Sequence, residues 1–393
     1  MRRKLLLLLE TGLVLAGLLL GASAWKIHSA LEQPLNITQE ELLDVPKGST
    51  PTRTILGLEA DGVIKDAFWL RIYWRFNLSG TPIHTGEYRM QPGMTVKGLI
   101  DLWKRGEVVQ YSLTLVEGWN FHQVRAALAK DEKIEQTLTG LSDSDVMSKI
   151  GHKGVFPEGR FFPDTYRFVR GASDTELLKK AFDRLDEVLA KEWESRSTDA
   201  PYTEPYQALI MASLVEKETG VPQERGQIAG VFVRRMALGM QLQTDPTVIY
   251  GLGDRYNGKL TRAHLKEATP YNTYVIPGLP PTPIAMVGRE AIHAALNPVE
   301  GTSLYFVARG DGSHVFSDDL DAHNSAVREF QLKRRADYRS SPAPASTPEA
   351  APATGEAVPA ASPDTAPESL PPVPAQEPAP TPETEAVAPQ NAQ

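Results

Sequence analysis

The feature that most constrains this chain is an apolar run from Leu5 to Ala24, which follows three basic residues at positions 2–4. A helix of ~20 residues is long enough to span a hydrocarbon core of ~30 Å. The basic flank favours an N-terminus on the cytoplasmic side, with the following chain outside. The sequence therefore predicts that residues 1–26 are a cytoplasmic N-terminus and a transmembrane anchor.

A cleaved leader is the alternative interpretation of this run. Ala22-Ser23-Ala24 is similar to a signal-peptidase site. The run is long for the apolar part of a leader, however, and Trp25 and Lys26 suit the outer interface of a retained helix. The anchor is therefore favoured, and both interpretations place the remaining chain beyond the membrane.

The composition excludes several classes of protein. The 393 residues include no cysteine, which excludes disulfides, thiolate metal sites and a cysteine nucleophile. The formal charge is -8, but residues 340–393 carry seven acidic residues and no Lys or Arg, so the remainder is close to neutral. A nucleic-acid-binding protein would carry a surface rich in Lys and Arg, so the near-neutral charge argues against this class. No metal-ligand pattern such as His-Glu-x-x-His is present, so no metal site is predicted.

Residue patterns divide the rest of the chain and predict an α+β fold. Residues 27–43 are predicted to be a polar stalk. In residues 44–110, a strand end, two short helices and a strand precede a helix that Thr95 caps. This β-α-α-β order resembles a LysM-like glycan-binding module. Its aromatic residues fit the core of a plain scaffold domain equally well.

A larger α+β domain is predicted for residues 111–338, with no regular βαβ alternation. Alternation predicts strands at 111–116 and 305–307, and apolar spacing predicts four main helices. These helices cover 121–128, 175–191, 205–219 and 225–238. Residues 339–393 are rich in Pro, Ala, Ser, Thr and Glu, which predicts a disordered tail.

Two glutamates, Glu216 and Glu218, lie in the predicted helix at 205–219. On a wheel that advances ~100° per residue, Glu218 falls within about 10° of the centre of the apolar stripe, and Glu216 falls roughly 170° away. We therefore expect Glu218 to face the interior and Glu216 to face solvent. Burial raises the pKa of a carboxyl group, and a protonated glutamate suits a general acid in glycoside cleavage. The alternative is a buried ion pair with Arg225, Arg234 or Arg235.

Seven stretches carry a family resemblance. They are residues 115–118, 162–166, 211–219, 241–251, 256–260, 271–274 and 278–281. In this order they resemble the YceG-like family, the endolytic murein transglycosylases. The similarity extends over roughly residues 5–335.

The resemblance implies an anchor in the cell inner membrane, a LysM-like module and a periplasmic catalytic domain. It implies an endolytic lyase that cleaves the bond between N-acetylmuramic acid and N-acetylglucosamine in nascent peptidoglycan strands. The reaction uses no water, leaves 1,6-anhydro ends and thereby terminates strand elongation. The family's catalytic glutamate matches Glu218. Peptidoglycan strands are the implied substrate, no cofactor is needed, and peptidoglycan synthases are candidate partners that the sequence does not identify.

Other motif residues are predicted to bind substrate. Gln241, Gln243 and Thr244 offer uncharged donors and acceptors for sugar hydroxyl and acetamido groups. Asp245 precedes Pro246, a pairing typical of a helix start, so a structural cap is favoured over catalysis. The remaining residues fit either sugar contacts or loop packing beside the cleft. They are Tyr250, Tyr271, Asn272 and Tyr274.

Two other functions remain open at this point. A hydrolase of the same bond would use Asp245 or Glu224 as a second carboxylate to activate water, and it would leave a reducing end. A non-enzymatic scaffold would bind glycan or cell-division partners through the LysM-like module and the C-terminal tail. Replacing Glu218 would then leave function intact.

Overall fold

The N-terminal apolar run forms one continuous helix, α1 (Arg2–Glu32). The computed structural model describes residues 2–332, and the predicted tail at 339–393 lies outside them. The apolar side chains of α1 are largely exposed, as Leu8 and Leu20 show at 71% each. Within the described part of the chain, Leu6–Glu32 is the one helix long and apolar enough to cross a membrane. A leader sequence meets the same criteria, so the anchor and its orientation stay predictions.

The next five elements follow the predicted strand-helix-helix-strand-helix order. They are β1 (Glu41–Val45), α2 (Pro51–Ala60), α3 (Ala67–Asn77), β2 (Gly86–Met90) and α4 (Val96–Arg105). The strands pair antiparallel, with Val45 opposite Gly86. Thr95 caps α4 as predicted, since its hydroxyl accepts a hydrogen bond from the Gly98 N–H at 3.2 Å. Leu70, Tyr88 and Trp103 fill the core of this module. Its LysM-like identity stays a prediction.

Residues 27–43 are not the polar stalk that the sequence predicted. α1 continues to Glu32, and β1 begins at Glu41. Ala30 and Leu35 are buried in the core of the N-terminal module, and the Leu35 N–H donates to the Met94 carbonyl at 2.8 Å. Average polarity was misleading here because two apolar side chains are enough to dock a short segment.

The rest of the described chain contains eight more α-helices and four more strands, besides four short 3-10 or π-helical segments. The first group is β3 (Tyr111–Thr114), α5 (Phe121–Lys130), α6 (Asp143–Lys149), β4 (Thr165–Phe168) and α7 (Asp174–Glu194). The second group is α8 (Pro205–Glu218), α9 (Arg225–Ala237), α10 (Asp245–Leu252), α11 (Arg289–Leu296), β5 (Tyr305–Ala308), β6 (His314–Ser317) and α12 (Leu320–Val327). β3 pairs with β4, and β5 pairs with β6, both antiparallel. The mixed α+β class is confirmed.

Helix α8 lies at the centre of the larger core. All residues from Ala208 to Val215 are buried, and α8 packs against α7, α9, α10 and α11. Ser213 joins it to the chain before α11, because its hydroxyl accepts a hydrogen bond from the Ile284 N–H at 3.0 Å. Because neighbours surround α8, both sides of its wheel face protein. The prediction that Glu216 faces solvent is therefore wrong: its side chain is only 6% exposed.

Candidate functional site

The C-terminal end of α8 places Glu218 in the wall of a cleft with a volume of about 840 Å³. The other walls come from α9, the start of α10, the β5–β6 hairpin and α12. Four of the nine predicted site residues line this cleft. They are Glu218, Gln243, Asp245 and Tyr274.

The carboxyl group of Glu218 has an environment that favours its protonated form. Burial raises the pKa of Glu218 to about 7, a hydrogen bond from the Thr244 hydroxyl opposes the rise, and the charge of Asp245 adds to it. A carboxyl group with this pKa is about half protonated at neutral pH. The alternative of an ion pair with an arginine is not found within residues 2–332, since no basic side chain there lies within 4.0 Å of the Glu218 carboxylate.

A constrained turn holds Thr244 against Glu218. Gln243 adopts a φ of 54°, which is uncommon for a residue other than glycine. Its N–H donates to the Thr273 carbonyl at 3.1 Å, and the Thr244 N–H donates to the Thr273 hydroxyl at 3.0 Å. Strain of this kind persists only where the surroundings enforce it. The turn therefore fixes the position of the Thr244 hydroxyl.

Asp245 begins helix α10 but does not cap it. Thr244 occupies the N-cap position, with no capping bond from its side chain, and Pro246 lies in the first turn. Asp245 is exposed in the cleft, and it accepts a hydrogen bond from the Tyr274 hydroxyl at 2.7 Å. The predicted helix start is confirmed, but the predicted cap is wrong because the carboxylate turns toward Tyr274.

Five predicted residues do not line the cleft. Thr244 contacts Glu218 from behind, and Gln241 donates to the Val275 carbonyl at 3.2 Å. Asn272 is fully buried and donates to the carbonyls of His264 and Glu267 at 3.1 and 2.7 Å. The Tyr250 and Tyr271 rings meet edge to face, with centroids 4.8 Å apart. Packing in the loops behind the cleft accounts for these contacts.

Glu216 has a raised pKa as well, although it does not line the cleft. Its carboxylate accepts a hydrogen bond from the Gly288 N–H at 3.1 Å and lies 3.9 Å from the Arg225 guanidinium. Burial and the nearby charge of Glu117 raise the pKa of Glu216 to about 7. The pKa alone therefore does not separate Glu216 from Glu218, whereas access to the cleft does.

The cleft wall formed by the β5–β6 hairpin and α12 is the part of the site that sequence reasoning missed. Tyr305 lies between a stacked His323 ring, 5.1 Å away, and the Arg235 guanidinium, also at 5.1 Å. His314 also lines the cleft, and its Nδ1 lies 2.8 Å from a carboxylate oxygen of Glu224. The other oxygen of Glu224 accepts the His314 N–H at 2.8 Å. Glu224, one candidate for activating water, is thus engaged by His314.

Glu158, the third carboxyl group with a raised pKa, was also missed. The Phe121 N–H at the start of α5 donates to its two oxygens at 3.1 and 3.2 Å, and the Tyr250 hydroxyl donates at 3.1 Å. Burial raises the pKa of Glu158 to about 7. Its place just before the motif at 162–166 was the available sequence signal. Glu158 connects α5 to α10.

We expect Glu158→Gln to weaken the pH dependence of stability. The pKa of Glu158 rises from 4.5 to about 7 on folding, so the folded protein binds more protons than the unfolded chain between these values. Stability therefore falls as pH rises through this window, by on the order of 3 kcal/mol from this group. Glutamine keeps an acceptor for Phe121 and Tyr250 but does not titrate.

Urea unfolding at pH 5 and pH 8 measures the effect. The exposed Glu290→Gln serves as the control and should behave like the wild type. If Glu158→Gln lost as much stability from pH 5 to pH 8 as the wild type does, the prediction would be contradicted.

Comparisons with known proteins establish the family. The YceG-like family model matches residues 43–329. An endolytic murein transglycosylase of Bacillus subtilis strain 168 is 29% identical over 307 residues, covering 73% of this chain and 84% of that protein. An endolytic murein transglycosylase of Streptococcus pneumoniae strain D39 is 25% identical over 340 residues, covering 77% of this chain and 60% of that protein. The crystal structure of a YceG-like protein from Listeria monocytogenes is 28% identical, with a TM-score of 0.45, and covers 74% of this chain and 99% of that one. The chain belongs to the YceG-like family.

Proposed function

We propose that this protein is an endolytic lytic transglycosylase, which cleaves the bond between N-acetylmuramic acid and N-acetylglucosamine in nascent peptidoglycan. The observation that carries the proposal is the carboxyl group of Glu218, which has a raised pKa and lines a cleft of about 840 Å³. The names of the Bacillus and Streptococcus relatives support the same activity.

One carboxyl group is sufficient for this reaction. Protonated Glu218 donates its proton to the glycosidic oxygen as the bond from this oxygen to C1 of the muramic acid breaks. The 6-hydroxyl of the same muramic acid then forms a new bond to C1, and its proton returns to Glu218. The products are a free 4-hydroxyl on N-acetylglucosamine and a 1,6-anhydro end. The intramolecular attack needs no water and benefits from the proximity of the two groups.

The surrounding residues suit a substrate made of sugars. We assign Gln243, Asp245 and Tyr274 to polar contacts with sugar hydroxyl and acetamido groups, since all three line the cleft. Tyr305 also lines the cleft, and since His323 and Arg235 cover the faces of its ring, we assign its edge and hydroxyl group to contacts with the sugar. Thr244 is a positioning residue, because it reaches the substrate only through Glu218.

The placement of the domains completes the proposal. α1 anchors the chain in the inner membrane, and the catalytic domain (111–338) lies in the periplasm. The module at 44–110 acts as a LysM-like glycan-binding domain that holds the strand near the cleft. Strand termination by this enzyme requires strands as they are made, so peptidoglycan synthases are its proposed partners.

Mass spectrometry of the products tests the activity directly. Purified peptidoglycan incubated with the full-length protein in detergent should be cleaved within its strands, and each cut should leave a new 1,6-anhydro-muramic end. Reducing ends would instead favour the hydrolase, with Asp245 as the second carboxylate in the cleft. Absence of both kinds of end would favour the scaffold function.

We also expect the activity to fall above pH 7 and the Thr244→Val variant to shift this fall to higher pH. The reaction starts from protonated Glu218, so the rate should drop about tenfold per pH unit above its pKa. The hydrogen bond from the Thr244 hydroxyl stabilises the carboxylate and lowers the pKa of Glu218, so its removal raises that pKa. Rates of anhydro-end formation between pH 5 and 9 measure both effects. Thr244→Ser is the control, and an unmoved profile in Thr244→Val would contradict the role of Thr244.

A further inference from the structure

We propose that the C-terminal end of helix α3 docks on the outer surface of the membrane and inserts Phe76 among the phospholipids. The N-terminal module would then rest on the bilayer that α1 crosses. This inference goes beyond the catalytic activity and rests on the proposed membrane placement of α1. Three observations carry it: the direction of α3, its length, and the residues at its end.

The direction of α3 follows from a pair of hydrogen bonds. The Gln33 amide, one residue beyond α1, donates to the Lys65 carbonyl at 2.8 Å and accepts from the Lys65 N–H at 3.0 Å. Lys65 lies two residues before α3, so α3 starts beside the C-terminal end of α1. α3 packs against α1, and α1 ends at Glu32. We infer that α3 runs back along α1 toward the apolar segment.

The length of α3 brings its end to the edge of that segment. Its 11 residues extend ~16 Å at 1.5 Å per residue, which is the length of the last 11 residues of α1. Asn77 is therefore close to the level of Ala22, at the outer end of the apolar run. The burial of α1 agrees, since Ser23, Ile27 and Ala30 lie on one face and are partly or fully covered.

The residues at this level suit a lipid interface. Phe76 is 81% exposed, and Arg75 beside it is also exposed. On α1, Trp25 is 64% exposed, with the Lys26 ammonium 5.6 Å from its ring. Aromatic rings flanked by cations are typical of the boundary between lipid head groups and acyl chains.

A cavity next to Phe76 gives the lipid head groups a place to bind. It has a volume of about 550 Å³ and lies between the start of α2 and the exposed face of α3. Arg71 and Arg75 line it, and so do Ile72 and Phe76. Two guanidinium groups beside apolar walls match an anionic phosphate that continues into an acyl chain. The occupant is therefore a phospholipid of the outer leaflet.

The absence of cysteine allows a direct test with single fluorescent labels. Full-length Phe76→Cys and Leu238→Cys proteins are each labelled with a solvent-sensitive fluorophore and reconstituted into phosphatidylethanolamine–phosphatidylglycerol vesicles. Leu238, just after α9, is the control, since it is an apolar side chain that is 64% exposed and it does not line the cavity beside Phe76. A third label at Val14, in the apolar run, reports on the anchor.

The expected result is that lipids carrying a quencher reduce the fluorescence at position 76 but not at 238, while aqueous iodide quenches position 238 several-fold more strongly than 76. Equal access of iodide to both positions, with position 14 shielded, would overturn the docking of α3 and leave the anchor intact. Access of iodide to the label at position 14 would overturn both the docking of α3 and the membrane anchor. Neither outcome bears on the chemistry of Glu218, which the product analysis tests separately.

Discussion

Glu218→Gln is expected to lower the rate of anhydro-end formation roughly 10²–10⁴-fold, the range for loss of a general acid–base group. Glutamine has nearly the shape of glutamate and keeps an oxygen that accepts the hydrogen bond from Thr244. It has no proton to donate to the leaving oxygen and no carboxylate to receive one. Mass spectrometry of peptidoglycan digests over time measures the rate. Thermal unfolding should show that the variant is at least as stable as the wild type at pH 8, since glutamine removes a buried titrating group.

Glu216→Gln is the matched control for this prediction. Glu216 lies on the same helix and is buried, and burial raises its pKa to about 7 as well. It does not line the cleft, so Glu216→Gln should retain most of the activity. Loss of activity in Glu216→Gln with retention in Glu218→Gln would reverse the assignment. Equal losses in both would indicate that the carboxyl groups act through the stability of α8 and not through chemistry.

Local signals in the sequence predicted most of the individual elements. Capping residues and apolar spacing located α4, α5 and α8 to within a few residues, because these signals act between neighbours in the chain. The C-terminal end of α8 at Glu218 lies one residue from the predicted end at 219. The YceG-like family was also identified from motif order, and the family match at residues 43–329 confirms it.

Environments that depend on distant parts of the chain were less predictable. The helical wheel located Glu218 on an interior face, but it assigned Glu216 to solvent because it assumes that one face of the helix is exposed. α8 has neighbours on both sides, and they come from segments before and after it. The cleft wall around Tyr305 and His314 was missed for the same reason. Those residues lie about 90 positions from Glu218, and only tertiary folding brings them to it.

Gly159 shows how tightly the scaffold behind the cleft is packed. Its φ of 72° lies in the left-handed region, and an added Cβ would lie 2.4 Å from Pro283 Cβ and 3.2 Å from the Ala285 carbonyl oxygen. A proline ring and a backbone carbonyl cannot rotate away as a flexible side chain can. Between them, the Ile284 N–H donates to Ser213 on α8. A displacement of this segment is therefore transmitted to the helix that carries Glu218.

We expect Gly159→Ala to destabilise the protein by about 2–5 kcal/mol, combining the cost of a left-handed alanine with that of overpacking. Gly154→Ala is the matched control, since Gly154 has a φ of 81° but open space around it, and it should lose only about 1–2 kcal/mol. Urea unfolding at pH 7 measures both. Equal losses would mean that the Pro283 segment yields freely. A larger loss in Gly159→Ala, with slower anhydro-end formation under conditions where the variant is folded, would show that this contact positions α8 for catalysis.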